Sequence, residues 1–84
     1  MTRDEILAKI LAIFASNFEI ENPDLDENLG EAHEFDSIDA IELIREIELL
    51  LDATLTRQEK ESAMGIRTIN QIVDYVVDLA AARA

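Results

Sequence analysis

Four stretches of this chain read as helices, three of them from apolar residues at the spacing of one-sided helices. In the first, Ile6, Leu7, Ile10, Leu11, Ile13 and Phe14 follow a 3.6-residue period. Thr2 can cap its first turn while Glu5 reaches back, a Thr-x-x-Glu capping box, and the period predicts a helix to about Ser16. The second run, Ser37 to about Leu51, is the most strongly patterned. The third is short: Thr56-Arg57-Gln58-Glu59 is another capping box, and the turn it opens ends before Gly65. The fourth follows Thr68 as N-cap, with Ile69, Ile72, Val73, Val76, Val77, Leu79 and Ala80 on one side. Its β-branched residues lower helix propensity, so packing must hold it. Between the first two runs, Asn17 to Asp36 form a connection with Pro23, Gly30 and many acids, long for a small bundle. Leu25, Leu29, Phe18 and Ile20 are the residues expected to pin it to the core. The pattern predicts an all-α fold: a small four-helix bundle of three main helices and one short one, with a long loop between helices one and two. With no internal repeat, residues 1–84 read as a single domain.

Size narrows the function. A chain of 84 residues buries roughly 60–65% of its unfolded surface, enough for one core and a shallow cleft. A hydrophobic content of 49% argues against disorder. Without cysteine there is no disulfide framework, thiolate zinc site or thiol chemistry. Met1-Thr2-Arg3-Asp4-Glu5 lacks the basic and apolar regions of a signal peptide, and no apolar run approaches the ~20 residues of a membrane span. A cytoplasmic location and no membrane insertion are therefore expected. Charge is the compositional signal: 19 Asp and Glu against 7 Lys and Arg, a net −12. Such a surface should repel nucleic acid and anionic membranes, attract basic partners or cations, and favour a monomer.

The charge is not spread evenly. From Glu31 to Asp52 there are eight acids and only Arg45 as a base. Projected at about 100° per residue, Ala40, Leu43, Ile44, Ile47, Leu50 and Leu51 of the second helix share one face, an ordinary core stripe. Ile38, Ile41 and Leu49 fall on the other side among Asp39, Glu42, Arg45 and Glu46. Apolar residues rimmed by charge beside Ser37 suggest a contact surface. The competing expectation is that the long loop covers Ile38 and Ile41.

Ser37 opens that helix, so three chemistries bear on it. A nucleophilic serine needs a base and a group to orient the base. The one histidine, His33, lies in the preceding loop and reads as solvated. Gly-x-Ser-x-Gly is absent, and Asp36 and Asp39 are poor bases for an alcohol. No catalytic residue and no enzyme are expected. A calcium loop would begin at Asp24-Leu25-Asp26-Glu27-Asn28, but Leu29 stands where its turn needs glycine, and Phe35 where a bidentate Glu belongs. No specific metal site is expected, only loose attraction of divalent cations. Finally, Ser37 could be only a helix cap. Asp36 can also cap, with Asp39 three residues on, leaving Ser37 at the first helical position with its hydroxyl outward. The sequence predicts either arrangement equally. A phosphate on an outward hydroxyl would meet the helix dipole and free backbone N–H groups.

Asp36-Ser37-Ile38-Asp39-Ala40-Ile41-Glu42-Leu43-Ile44 resembles the attachment motif of the acyl carrier protein family, commonly Asp-Ser-Leu-Asp, a small residue, a β-branched residue, Glu and Leu. Leu29-Gly30 resembles the family's loop upstream of the motif, and Thr68 to Val76 its final helix, so the resemblance covers most of the chain. It implies that Ser37 is esterified by 4′-phosphopantetheine, donated from coenzyme A by a phosphopantetheinyl transferase of the holo-ACP synthase type. The arm then carries acyl groups as thioesters. It further implies that Asp36, Asp39, Glu42 and Glu48 face basic patches on acyl-transferring and chain-elongating enzymes, with Ile38 and Ile41 as apolar contacts.

This chain departs from the fatty-acid-synthesis pattern at several places. The family often runs Gly-x-Asp-Ser, whereas here Glu31 to Phe35 separate Gly30 from Asp36. Arg45 occupies a contact position usually apolar, Leu49 one commonly acidic, and Arg57 and Gln58 stand where acids are frequent. The expected function is an acyl carrier in fatty acid, lipid or polyketide biosynthesis, with a specialised pathway as a rival to general fatty acid synthesis. The alternative from another class is an acidic helical protein-interaction or cation-binding domain without a cofactor.

Overall fold

The computed structural model describes residues 1–83, all of whose regular elements are helices: α1 Arg3–Asn17, α2 Leu29–His33, α3 Ser37–Leu51, α4 Arg57–Ala63 and α5 Ile69–Ala82. The three periodic runs became α1, α3 and α5 and the short capped segment became α4, with ends within a residue or so of expectation. Thr2, Thr56 and Thr68 each cap a helix, and each forms a capping box with the residue three places on. Ile6, Ile10 and Phe14 of α1, Leu43, Ile44 and Ile47 of α3, and the buried face of α5 meet in one core. Burying each such side chain is worth about 1.5–3 kcal/mol, which is what holds α5 despite its valines and isoleucines.

The connection after α1 is pinned as expected, with Ile20 and Leu29 buried and Phe18 and Leu25 packed partly against the core. It differs from expectation in containing a helix, α2. Five residues are too few to display a period. What makes the helix is the Asn28 side chain, which accepts the Glu31 N–H at 3.0 Å, and buried Leu29 beneath it. The connection is also tied to the start of α5. Leu29 N–H donates to the Arg67 carbonyl at 2.8 Å, Asn70 N–H to the Leu25 carbonyl at 3.0 Å, and Asn70 Nδ2 to Asp26 at 2.7 Å.

Helix α4 buries no residue. A polar clip centred on Glu59 attaches it to α5. Arg83 donates to both Glu59 carboxylate oxygens, at 2.7 and 3.0 Å, and the Tyr75 hydroxyl donates to the Glu59 carbonyl at 2.5 Å. The Thr56 N–H adds a further bond to the same carboxylate. Arg83 first and the Thr56 amide second hold the Glu59 carboxyl down at about 2. A depressed carboxyl stabilises the fold fully above its ordinary value, near 4.5, and that contribution is lost as pH falls toward about 2. Arg83→Gln should therefore lower the melting temperature at pH 6, and the gap from the parent should close between pH 5 and pH 2. Parallel melting curves for the two proteins across that range check this.

Candidate functional site

At the start of α3 the capping question has a definite answer. Asp36 is the N-cap: one of its carboxylate oxygens accepts the Ile38 N–H at 3.0 Å and the Asp39 N–H at 3.1 Å. Asp39 reaches back to the Asp36 N–H at 3.2 Å. Ser37 is left as the first helical residue, exposed, with its hydroxyl in no hydrogen bond among the described residues. The same geometry corrects one expectation. Two first-turn amides are occupied by Asp36, so a phosphate on Ser37 would meet the helix dipole and the Ser37 amide rather than a cradle of free N–H groups.

The position of Ser37 in space is set one step earlier in the chain. Phe35 stacks on Phe14 with ring centroids 5.4 Å apart and meets Phe18 edge-on at 5.3 Å, while Phe14 and Phe18 are themselves 5.2 Å apart. All three phenylalanines of the protein thus form one cluster that moors the residue before Asp36 to the core. Sequence reasoning missed this, because an aromatic residue in a loop has no period to reveal its direction. Before Phe35, Glu34 closes α2 with φ 57°, in the left-handed region. Glu34 stands two residues before Asp36, where the Gly-x-Asp-Ser form has its glycine. At that place this chain has a glutamate in a glycine-favouring conformation. Gly30, by contrast, lies inside α2; a Cβ there would come within 3.3 Å of Asn28 Oδ1 and the Phe35 carbonyl.

His33 ends α2 instead of lying free in a loop, and its Nε2 is 2.7 Å from Glu27 Oε1. It does not hydrogen-bond Ser37. The acids of the abandoned calcium-loop pattern are used to shape the connection: Asp24 accepts the Asp26 N–H, Glu27 the Asp24 N–H, and Asp26 the Asn70 amide.

The surface beyond Ser37 is open. Ile38 is 74% exposed, Ile41 56% and Leu49 70%, so the long connection does not cover them. Asp36, Glu42 and Arg45 are exposed alongside, with Asp39 half-buried by its capping role. Glu48 stands apart from this group. It is half-buried, and its carboxylate accepts the Leu55 N–H at 2.9 Å, so part of its charge is spent fixing the turn after α3.

Behind the serine lies a cavity of about 400 Å³, a feature periodicity could not separate from a filled core. Asp36, Ser37 and Glu31 border it on the solvent side, and Leu43, Ile44, Ile47 and Ile72 line it within. Ala63 and Met64, at the end of α4, form another wall. An exposed hydroxyl beside an apolar recess of this size suits a long attached group with an apolar end.

Known proteins resemble the chain over nearly its whole length. The family model described as "Phosphopantetheine attachment site" matches residues 8–76. An acyl carrier protein of Rubrobacter xylanophilus is 35% identical over 80 residues, 93% of this chain and 95% of the relative. "Acyl carrier protein 2" of Ralstonia nicotianae is 33% identical over 84 residues, 98% of this chain and all of the relative. The solved structure of the acyl carrier protein from Enterococcus faecalis superposes with a TM-score of 0.68 at 30% identity, covering 93% of this chain and 98% of that one. With the fold, the free serine and these matches together, the chain belongs to the acyl carrier protein family, whose prosthetic group is 4′-phosphopantetheine, and is a carrier rather than an enzyme.

Proposed function

We propose that Ser37 bears the 4′-phosphopantetheine and that the protein presents an acyl cargo to the enzymes of a biosynthetic pathway. The observation that carries this reading is the division of labour at the helix start: Asp36 caps, so the Ser37 hydroxyl is free and exposed. A transferase forms the new phosphoester bond at Ser37 Oγ from coenzyme A, with 3′,5′-adenosine bisphosphate leaving and the hydroxyl proton passing to a base on the transferase. The bound group supplies a thiol, which this chain lacks, for holding acyl cargo as a thioester. Intact-protein mass after incubation with coenzyme A and a broad-specificity transferase tests the assignment directly.

Docking of the transferase and of acyl-transferring enzymes rests, in this reading, on Asp36, Asp39 and Glu42 for charge steering and on Ile38 and Ile41 for burial. Burying one isoleucine is worth about 1.5–3 kcal/mol, whereas an exposed ion pair contributes about 0–1 kcal/mol. Ile41→Ala should lower the transferase kcat/KM by about tenfold or more, and Glu42→Gln by about threefold or less. Asp36→Asn keeps a capping side chain, so its loss should appear in kcat/KM with the melting temperature nearly unchanged. Steady-state kinetics on the three variants would overturn the ranking if single acid changes proved costlier than Ile41→Ala.

The apolar recess is the place we assign to the cargo. Each methylene withdrawn from water contributes about 0.8 kcal/mol, and 1 kcal/mol moves the melting temperature of a domain this size by about 4–8 °C. Two methylenes of net burial, about 1.6 kcal/mol, already correspond to a rise of about 6–13 °C, so an octanoyl cargo should raise the melting temperature of the loaded protein by at least that much. Ala40→Leu, which fills the recess beside Ser37, should abolish the rise. Equal melting temperatures with and without the octanoyl group would place the cargo in solvent.

The finer assignment, fatty acid synthesis against a dedicated lipid or polyketide pathway, turns on the partner-facing surface. A monomer is the form we assign, since a net charge of −12 opposes self-association. No helix of the described residues is long and apolar enough to cross a membrane.

A further inference from the structure

The exposed side of α3 is not an apolar patch with acids scattered over it. At 3.6 residues per turn, Ile38, Ile41, Arg45 and Leu49 fall within roughly 80° of arc and run about 16 Å along the helix. Three members of this stripe are apolar and more than half exposed. The fourth, Arg45, is a cation at its centre, one turn from Ile41 on one side and from Leu49 on the other.

Arg45 is exposed and makes no ion pair among the described residues. Other arginines of the chain are engaged: Arg3 with Asp74, Arg57 with Glu61, Arg83 with Glu59, and Arg67 with the Met64 and Ile66 carbonyls. Glu42, one turn before Arg45 and exposed like it, makes no ion pair with it among the described residues, and the acids that follow are partly committed elsewhere. Glu46 accepts the Asn17 amide at 2.7 Å, and Glu48 accepts the Leu55 N–H at 2.9 Å. The guanidinium thus faces outward from a stripe whose neighbours are built for burial.

We propose that Arg45 is the specificity-determining residue of this surface, and that its partner is a protein face carrying a carboxylate where Arg45 lands. That face is otherwise basic, with apolar seats for Ile38, Ile41 and Leu49. The inference rests on the docking reading above and deepens it. Charge complementarity carries it. The surrounding acids call for a basic partner, yet a uniformly basic face would press a Lys or Arg against Arg45 inside the apolar stripe. Like charges brought together at an interface are strongly unfavourable. A carboxylate at that point gains instead a two-pronged guanidinium bond, shielded from water by isoleucine and leucine. Arg45 therefore both favours one partner class and rejects the other, which is how discrimination is built.

The test uses the full chain and, as a probe of the uniformly basic class that Arg45 disfavours, a purified phosphopantetheinyl transferase of the holo-ACP synthase type with no acid on its carrier-binding face. Wild type, Arg45→Gln, Arg45→Glu and Ile41→Ala are compared by kcat/KM. They are assayed on the native transferase and on a set in which each basic residue of its carrier-binding face is changed singly to Glu. On the native face, Arg45→Glu should be faster than wild type by about tenfold, with Arg45→Gln between them. On at least one charge-reversed face the order should invert. If the Arg45 variants match wild type on every face while Ile41→Ala is slow, the inference falls and the docking reading stands. If Ile41→Ala is also unaffected, both fall together. Because Arg45 is exposed, circular dichroism should be identical across its variants.

Discussion

Phe35→Ala should lower the melting temperature by about 10–20 °C. Truncating a core phenylalanine costs about 3–5 kcal/mol, and Phe35, half-buried, belongs near the lower end of that range. Its ring also completes a three-way cluster with Phe14 and Phe18, at centroid distances of 5.4 and 5.3 Å, and aromatic pairs add about 0.5–1.5 kcal/mol beyond area burial. At about 4–8 °C per kcal/mol, the expected drop follows. Phe35→Leu, which keeps an apolar anchor, should recover more than half of it. A second consequence is local. Phe35 precedes the cap of α3, so losing it loosens Asp36 and Ser37 before the bundle melts. Amide exchange of Ile38 and Asp39, whose N–H groups Asp36 holds, should accelerate more than exchange within α5. A thermal shift under about 3 °C, with no change at those amides, would show that the site is held from elsewhere.

How much of this could be read from the chain alone depended on periodicity. Helices α1, α3 and α5 repeat their apolar residues over three or more turns, and a Thr or Asp cap marks the start of each. The exposure of Ile38, Ile41 and Leu49 was legible for the same reason, since a helical projection separates them from Leu43, Ile44 and Ile47. Helix α2 was not legible, because five residues carry one apolar anchor and no repeat. The Phe35 mooring and the clip joining Glu59, Tyr75 and Arg83 were hidden too. Each joins residues far apart in sequence, and local spacing does not encode which side chains a fold brings together. Arg83 lies 24 positions from Glu59, beyond any helical period. The recess beside Ser37 was invisible on different grounds: a pattern of apolar residues reports which ones turn inward, not whether they fill the space they enclose.

At the serine, motif and geometry divided the work. The motif alone left Asp36 and Ser37 as equal candidates for the cap. The two amides taken by Asp36 free the Ser37 hydroxyl, and the residues we propose for docking line up along one exposed side of α3. Glu48 is the exception, since its carboxylate also braces Leu55. Glu48→Gln should be read as a change in the turn after α3 as well as in surface charge.

The remaining prediction is the largest in functional terms, and it concerns one atom. Ser37 Oγ is exposed, free of hydrogen bonds among the described residues and placed at the first position of α3. Removing it costs the fold little, because Asp36 and not Ser37 is the cap. Ser37→Ala should therefore melt within a degree or two of the parent, yet lose all capacity to be loaded. The decisive measurement is the intact mass of parent and Ser37→Ala proteins after incubation with coenzyme A and a broad-specificity phosphopantetheinyl transferase. The account predicts a single phosphopantetheinyl increment on the parent and none on the variant. An unmodified parent, or an increment that persists in Ser37→Ala, would contradict it.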